Sequence, residues 1–174
     1  ASRLLEEKGL IEFFAASEII TSKYSECKFI VAGNHNSTHP SSVSKNYLKK
    51  LIKSPHISFL GEIEFNAMNL LYQQSSIFVL PSYGEGLPKA ALEAASTGMP
   101  LILTDVPGCI ECVEVEKNGF LVEPKDAVDL ANKMEKFLLN PKIIPEMSKC
   151  SRKKVREQFS LEKISNKYLE ILNT

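Results

Sequence analysis

Residues 77–98 read IFVLPSYGEGLPKAALEAASTG, and this stretch decides the fold. Ile77 to Leu80 is a short β-branched and aromatic run stopped by a proline, the pattern of a strand buried on both faces. Pro88 to Thr97 is a helical pattern with proline in its first turn and Gly98 just beyond its end, where each residue suits a helix terminus. Strand, glycine-bearing loop and helix follow one another directly. The same alternation extends to either side. Strand patterns fall at Lys28 to Ala32, Ile57 to Leu60, Leu101 to Leu103 and, more weakly, Phe120 to Val122. Helical patterns fall at Gly9 to Lys23, where Leu10, Phe13, Phe14, Ser17 and Ile20 share a face, and at Val43 to Ile52 and Ala67 to Gln74. Strict alternation demands right-handed crossovers and a parallel sheet with helices on both faces. The predicted fold is therefore α/β, Rossmann-like and doubly wound.

From Asp126 onward the strand patterns stop. Helices are expected at Ala127 to Leu139, Ile143 to Phe159 and Leu161 to Leu172, punctuated by Pro124, the Asn140-Pro141 pair and Ser160. Residues 1–159 read as one domain and 160–174 as a terminal helix, whose Ile164, Tyr168 and Ile171 share a face that needs a partner, such as another domain. The opening Ala1-Ser2-Arg3-Leu4-Leu5 carries neither a secretory signal nor a usual domain beginning, and it reads as a cut end.

A length of 174 residues suits one domain with a real core. At 44% hydrophobic residues the composition is that of a globular protein, and no apolar stretch is long enough to span a bilayer. Twenty-one basic against 21 acidic side chains leave no net charge to gather a polyanion, which disfavours generic nucleic-acid binding, makes any membrane contact local and points to a small partner if that partner is anionic. The four cysteines include one C-x-x-C pair, Cys109 and Cys112, but Cys27 and Cys150 do not complete a zinc set, so free thiols are expected. His35 and His39 lie in HNSTHPSS, a polar stretch that reads as a mobile surface loop rather than a metal pair.

Doubly wound sheets bind ligands at the carboxyl ends of their strands, here the loops beginning at Gly33, Gly61 and Pro81. In the last of these, Gly84 and Gly86 allow close backbone approach to a ligand, and the helix that follows offers unpaired N–H groups to a phosphate. A charge-assisted contact there contributes about 1.5–3 kcal/mol. Glu85 and Glu93 would repel a bare phosphate, yet carboxylates accept well from sugar and ribose hydroxyls. A nucleotide sugar, with sugar and ribose at opposite ends of a diphosphate, satisfies both features. Taken alone, Glu93 also reads as a solvated helix acid and Glu85 as a turn residue. No G-x-G-x-x-G follows any strand pattern, which disfavours a dinucleotide.

The E-x7-E spacing of Glu85 and Glu93, within LPSYGEGLPKAALEAASTGMPLILTD, closely resembles the donor-site signature of retaining glycosyltransferases of family 4 (group 1), which have the GT-B fold. SRLLEEKG at residues 2–9 resembles that family's GRL-x-x-EKG element, FIVAG and ISFLGEI its next two strands, and DVPGCIE with NGFLV the segment after the donor helix. The likeness spans residues 2 to 125. It implies that this chain is the donor-binding half of a two-domain enzyme, with an acceptor-binding N-terminal domain lying elsewhere. It further implies that Arg3 and Lys8 hold the donor diphosphate and stabilise the leaving nucleoside diphosphate, as a guanidinium and an ammonium can. By the same resemblance Glu85 contacts the donor sugar and takes part in catalysis with Arg3 and Lys8, Glu93 contacts the ribose, and Gly86, Leu87, Lys89 and Ala90 contact sugar and phosphates. Gly61 and Ile63 would edge the base. Ile110-Glu111 departs from the Arg-Glu of many relatives, which puts a role for that position in doubt.

No D-x-D motif is present, so no metal cofactor is expected for the diphosphate. The resemblance implies retaining transfer of a hexose or N-acetylhexosamine, from a UDP-sugar by preference, to a lipid-linked glycan at the cytoplasmic face of a bacterial plasma membrane, in capsule or lipopolysaccharide synthesis. A sugar-nucleotide epimerase, a sucrose or trehalose synthase on the same scaffold, and a non-catalytic nucleotide- or protein-binding module are the alternatives.

Overall fold

The computed structural model describes residues 2–35 and 39–172. The middle of the HNSTHPSS loop, 36–38, lies outside them. The β-branched and aromatic runs form the strands β1 (Phe29–Ala32), β2 (Ile57–Gly61), β3 (Phe78–Leu80), β4 (Leu101–Thr104) and β5 (Gly119–Val122), and every strand pairing is parallel. The helices are α1 (Leu10–Lys23), α2 (Lys45–Ile52), α3 (Phe65–Gln73), α4 (Lys89–Thr97), α5 (Cys109–Cys112), α6 (Ala127–Leu139), α7 (Ile143–Gln158) and α8 (Leu161–Leu172). A 3-10 turn, Glu6–Lys8, precedes α1.

Strand β4 shows how the layers form. All four of its residues are fully buried. Its side chains alternate across the sheet, as period 2 requires. Leu101 and Leu103 pack with Ala91, Ala94 and Ala95 of α4 and with Cys109 and Cys112 of α5, whereas Ile102 packs with Ala16 and Ile20 of α1 and Leu130 and Met134 of α6. A strand covered on both faces is what a continuous apolar run predicts.

Three details differ from the expectation. The strands form two ladders, β1–β2 and β3–β4–β5, because β1 and β3 flank a cleft instead of bonding each other. Pro88 is the N-cap of α4 rather than a first-turn residue, which uses its missing N–H in the same way. Helix α5 has four residues, too few to show a period in the sequence.

The ends of the helices are locally specified. Gly98 closes α4 in the left-handed region (φ 98°), and Arg152 of α7 donates to the Thr97 carbonyl at 2.9 Å, capping the same end. Asp126 caps α6 by accepting from the Val128 and Asp129 amides. Buried Asn118 shapes the turn into β5, accepting from the Glu114 amide at 2.6 Å and donating to the Cys112 carbonyl at 3.0 Å. Helix α8 contributes no buried residue. Among the described residues no helix is long and apolar enough to cross a membrane.

Candidate functional site

Two segments distant in sequence are tied together beyond the carboxyl end of β3. The Tyr83 amide donates to the Glu7 carbonyl at 2.8 Å, and the buried Ser82 hydroxyl donates to the same carbonyl at 3.0 Å. Gly9, at φ 69°, ends the 3-10 turn directly against the Pro81 carbonyl, where a β-carbon has no room. The turn and the Pro81–Gly84 loop therefore form one packed, hydrogen-bonded body. From that body the Lys8 Nζ reaches the Glu85 Oε1 at 2.8 Å, with 17% of the lysine side chain and 14% of the glutamate side chain exposed. An ion pair this sheltered is screened less than a surface one and fixes both side chains.

The loop is also supported from behind. Gly108, at φ 83°, presses on the carbonyls of Glu85 and Gly86, again leaving no space for a β-carbon. Cys109 and Cys112 follow on α5, both buried. Burial first, and then the Glu85 carboxylate, push the Cys109 thiol up to about 12, and burial pushes Cys112 up to about 11. These thiols stay protonated at neutral pH and serve as packing, with none of the thiolate character that reactivity needs.

In front, Gly86 and Leu87 are exposed, and α4 begins with no side-chain cap. The Ala91 and Leu92 amides close on the Pro88 carbonyl, while those of Lys89 and Ala90 make no hydrogen bond among the described residues. They are open donors at the positive end of a helix. Arg3 is exposed, makes no ion pair among the described residues, and lines a small cleft of about 50 Å³ together with Lys8 and Pro81.

Glu93 sits on α4, half-buried, and accepts from the Tyr72 hydroxyl at 3.4 Å. Burial, reinforced by the Glu93 charge, raises the Tyr72 phenol, so the proton stays on tyrosine. Gly61 is exposed at φ 68°, and its carbonyl accepts from the Gly33 amide at 2.7 Å; Ile63 is half-buried beside it. No hydrogen bond or ion pair among the described residues links this edge to the Lys8–Glu85 pair. The structure thus joins Lys8 with Glu85 directly and Arg3 with Lys8 at one cleft, and leaves Gly61 and Ile63 on a separate loop.

One constellation escaped the sequence reading. The Tyr83 hydroxyl donates to Glu12 Oε1 at 2.8 Å, and the Lys125 ammonium lies 4.8 Å from the ring centre. Burial and this hydrogen bond raise the Tyr83 phenol well above its ordinary range. Glu12 stands beside Phe13 and Phe14 in the α1 run, and an acid flanking an apolar helix face was the available signal. Gly108 was another, a glycine opening a helix too short to read. Chemically, the assembled loop offers cations and amide donors to an anion and carboxylates to hydroxyls.

Residues 1–157 match the family model described as Glycosyl transferases group 1. The chain is 27% identical over 172 residues to a capsular polysaccharide biosynthesis glycosyltransferase of Staphylococcus aureus, covering 99% of this chain and 44% of that protein. It is 29% identical over 170 residues to the N,N'-diacetylbacillosaminyl-diphospho-undecaprenol alpha-1,3-N-acetylgalactosaminyltransferase of Campylobacter jejuni, covering 98% of this chain and 42% of that protein. Among solved structures it is similar to the sucrose-phosphate synthase of Thermosynechococcus elongatus, with a TM-score of 0.87 and 25% identity over 98% of this chain and 43% of that one. The chain spans under half the length of these relatives.

Proposed function

The chain belongs to the Glycosyl transferases group 1 family, and from that premise we propose that it is the nucleotide-sugar-binding half of a retaining hexosyl- or N-acetylhexosaminyltransferase. The donor is a nucleoside-diphosphate sugar, UDP-linked by preference. The acceptor is a lipid-linked glycan, held by a further domain at the cytoplasmic face of a bacterial plasma membrane; its closest support is the undecaprenol-linked substrate in the name of the Campylobacter jejuni relative.

The observation that carries this reading is the sheltered Lys8–Glu85 pair at the mouth of α4. An ammonium has three donors and a carboxylate takes one of them, so Lys8 can hold Glu85 and still donate to a phosphate oxygen. Arg3, free of any ion pair among the described residues, brings a planar fork to the same anion. The Lys89 and Ala90 amides add fixed dipoles. As the bond to the sugar breaks, negative charge grows on the departing diphosphate, and donors already in place stabilise it without reorganising. No metal is invoked for that charge. The remaining oxygens of Glu85 accept from donor sugar hydroxyls, those of Glu93 from the ribose, and the loop at Gly61 and Ile63 borders the base. The chain by itself binds donor and transfers nothing, since the acceptor side belongs to another domain.

Isothermal titration with UDP, UDP-GlcNAc and GDP-mannose tests the proposal, on the parent and on Arg3→Ala and Glu93→Ala. Tighter binding of one UDP ligand by the parent, weakened in both variants, is the expected result. Equal affinity of parent and variants would sink the site assignment.

A further inference from the structure

Glu85 stands between Gly84 and Gly86, neither of which has a side chain to anchor the loop. Open space surrounds both, with nothing within 4 Å of where a β-carbon would stand. A backbone of this composition has many conformations to lose, so the loop holds one shape only if it is tied at its ends. Gly108 presses on it from behind. On the other side the nearest residue with a side chain is Tyr83, and it is tied twice.

The first tie is the Tyr83 amide, which donates to the Glu7 carbonyl one residue before Lys8 at 2.8 Å. The second is the Tyr83 hydroxyl, which donates at 2.8 Å to Glu12 Oε1 in the first turn of α1, four residues beyond Lys8. Tyr83 therefore grips the chain on both sides of Lys8. The Lys125 ammonium, carried on a backbone in the left-handed region (φ 62°), lies 4.8 Å from the centre of the same ring.

Glu12 is an unusual choice for packing alone. Its Oε2 is buried and has no hydrogen-bond partner among the described residues, and leaving a carboxylate oxygen unmet costs stability. As the acceptor for Tyr83 the acid has a task, because a hydrogen bond to a carboxylate is short and strong. Burial, and then that bond, keep the proton on the Tyr83 phenol, so the donor is present at neutral pH.

We propose that Tyr83 and Glu12 form a latch that positions the Lys8–Glu85 pair, with Tyr83 acting through these two residues and not on the ligand. The inference deepens the donor-site reading and rests on it. With the latch closed, ammonium and carboxylate already stand where a diphosphate and sugar hydroxyls meet them, and no binding energy goes into ordering the loop. With it open, Gly84 and Gly86 let Glu85 swing away from Lys8.

Tyr83→Phe keeps the ring and removes only the hydroxyl. On the 174-residue chain, affinity for UDP-GlcNAc in calorimetric titration is expected to fall about 10-fold, the size of one charge-assisted hydrogen bond. Glu12→Ala should lose as much, and the double variant no more than either, since all three lack the same bond. Glu12→Gln keeps an oxygen that accepts from the hydroxyl and should bind like the parent. A second measurement needs no donor. Lys8, sheltered against Glu85, should react slowly with an acylating reagent, and its rate relative to exposed Lys142, read by peptide mass mapping, should rise about 10-fold in Tyr83→Phe, as local opening requires. Parent-like affinity in Tyr83→Phe overturns the latch, and so do losses that add in the double variant. A parent that binds no UDP-GlcNAc sinks the donor reading instead. In that case unchanged acylation of Lys8 in Tyr83→Phe overturns the latch, and faster acylation supports it.

Discussion

Lys8 and Glu85 are held 2.8 Å apart by two rigid supports, the Gly9 turn on one side and Gly108 on the other. Lys8→Met removes the cation and leaves the sheltered Glu85 carboxylate unpaired. Donor affinity is expected to fall about 10-fold or more, the size of a lost charge-assisted hydrogen bond, and titration of UDP against both proteins measures it. Gly108→Ala acts differently, because its β-carbon meets the Glu85 and Gly86 carbonyls and its φ of 83° suits glycine. It should cost more than about 1 kcal/mol in urea unfolding and weaken donor binding without touching a ligand group. The sequence singles out Glu85, Glu93, Arg3 and Lys8 as candidates because each stands in a motif. Their mutual geometry was not legible, since 77 residues separate Lys8 from Glu85. The Tyr83–Glu12 bond went unread for the same reason, lying across 71 residues.

The elements follow from local pattern. All five strand runs formed within a residue or two of where β-branched and aromatic residues cluster, and the helices over 10–23, 127–139 and 161–172 match their periodicity. Capping adds a measurable increment. Asp126→Ala removes the acceptor of two α6 amides and should lower stability by about 1 kcal/mol, read from the urea midpoint. A change in β4 should be far larger. Leu103→Ala empties a fully buried position between β4 and α4, and a loss of about 2–5 kcal/mol is expected in the same measurement. Helix α5 and the Asn118 turn were not legible, because a four-residue helix has no period and a buried amide reads in sequence like any loop asparagine.

For the whole molecule, buried acids set the response to alkaline pH. Cys109 and Cys112 are raised from 9.0 to about 12 and about 11, and the Tyr72 and Tyr83 phenols are raised as well. Below pH 9 both thiols are protonated, folded or unfolded, and their contribution to stability is complete. Above it the unfolded chain releases these protons first, so stability falls as pH rises through the 9–12 window. The urea midpoint should be lower at pH 10.5 than at pH 7.5, and replacing both cysteines by alanine should flatten that slope.

Composition and the order of strands and helices determined by themselves an α/β fold, and the resemblance carried by the E-x7-E segment and the motifs around it pointed to the group 1 glycosyltransferase family, because these are properties of contiguous residues and of spacing along one chain. The tertiary structure alone decided that Lys8 lies on Glu85, that Gly9 and Gly108 brace the loop between them, and that β1 and β3 stand apart. Those depend on how crossover connections bring remote segments together, and a pattern confined to one segment carries no information about which distant edge it will meet.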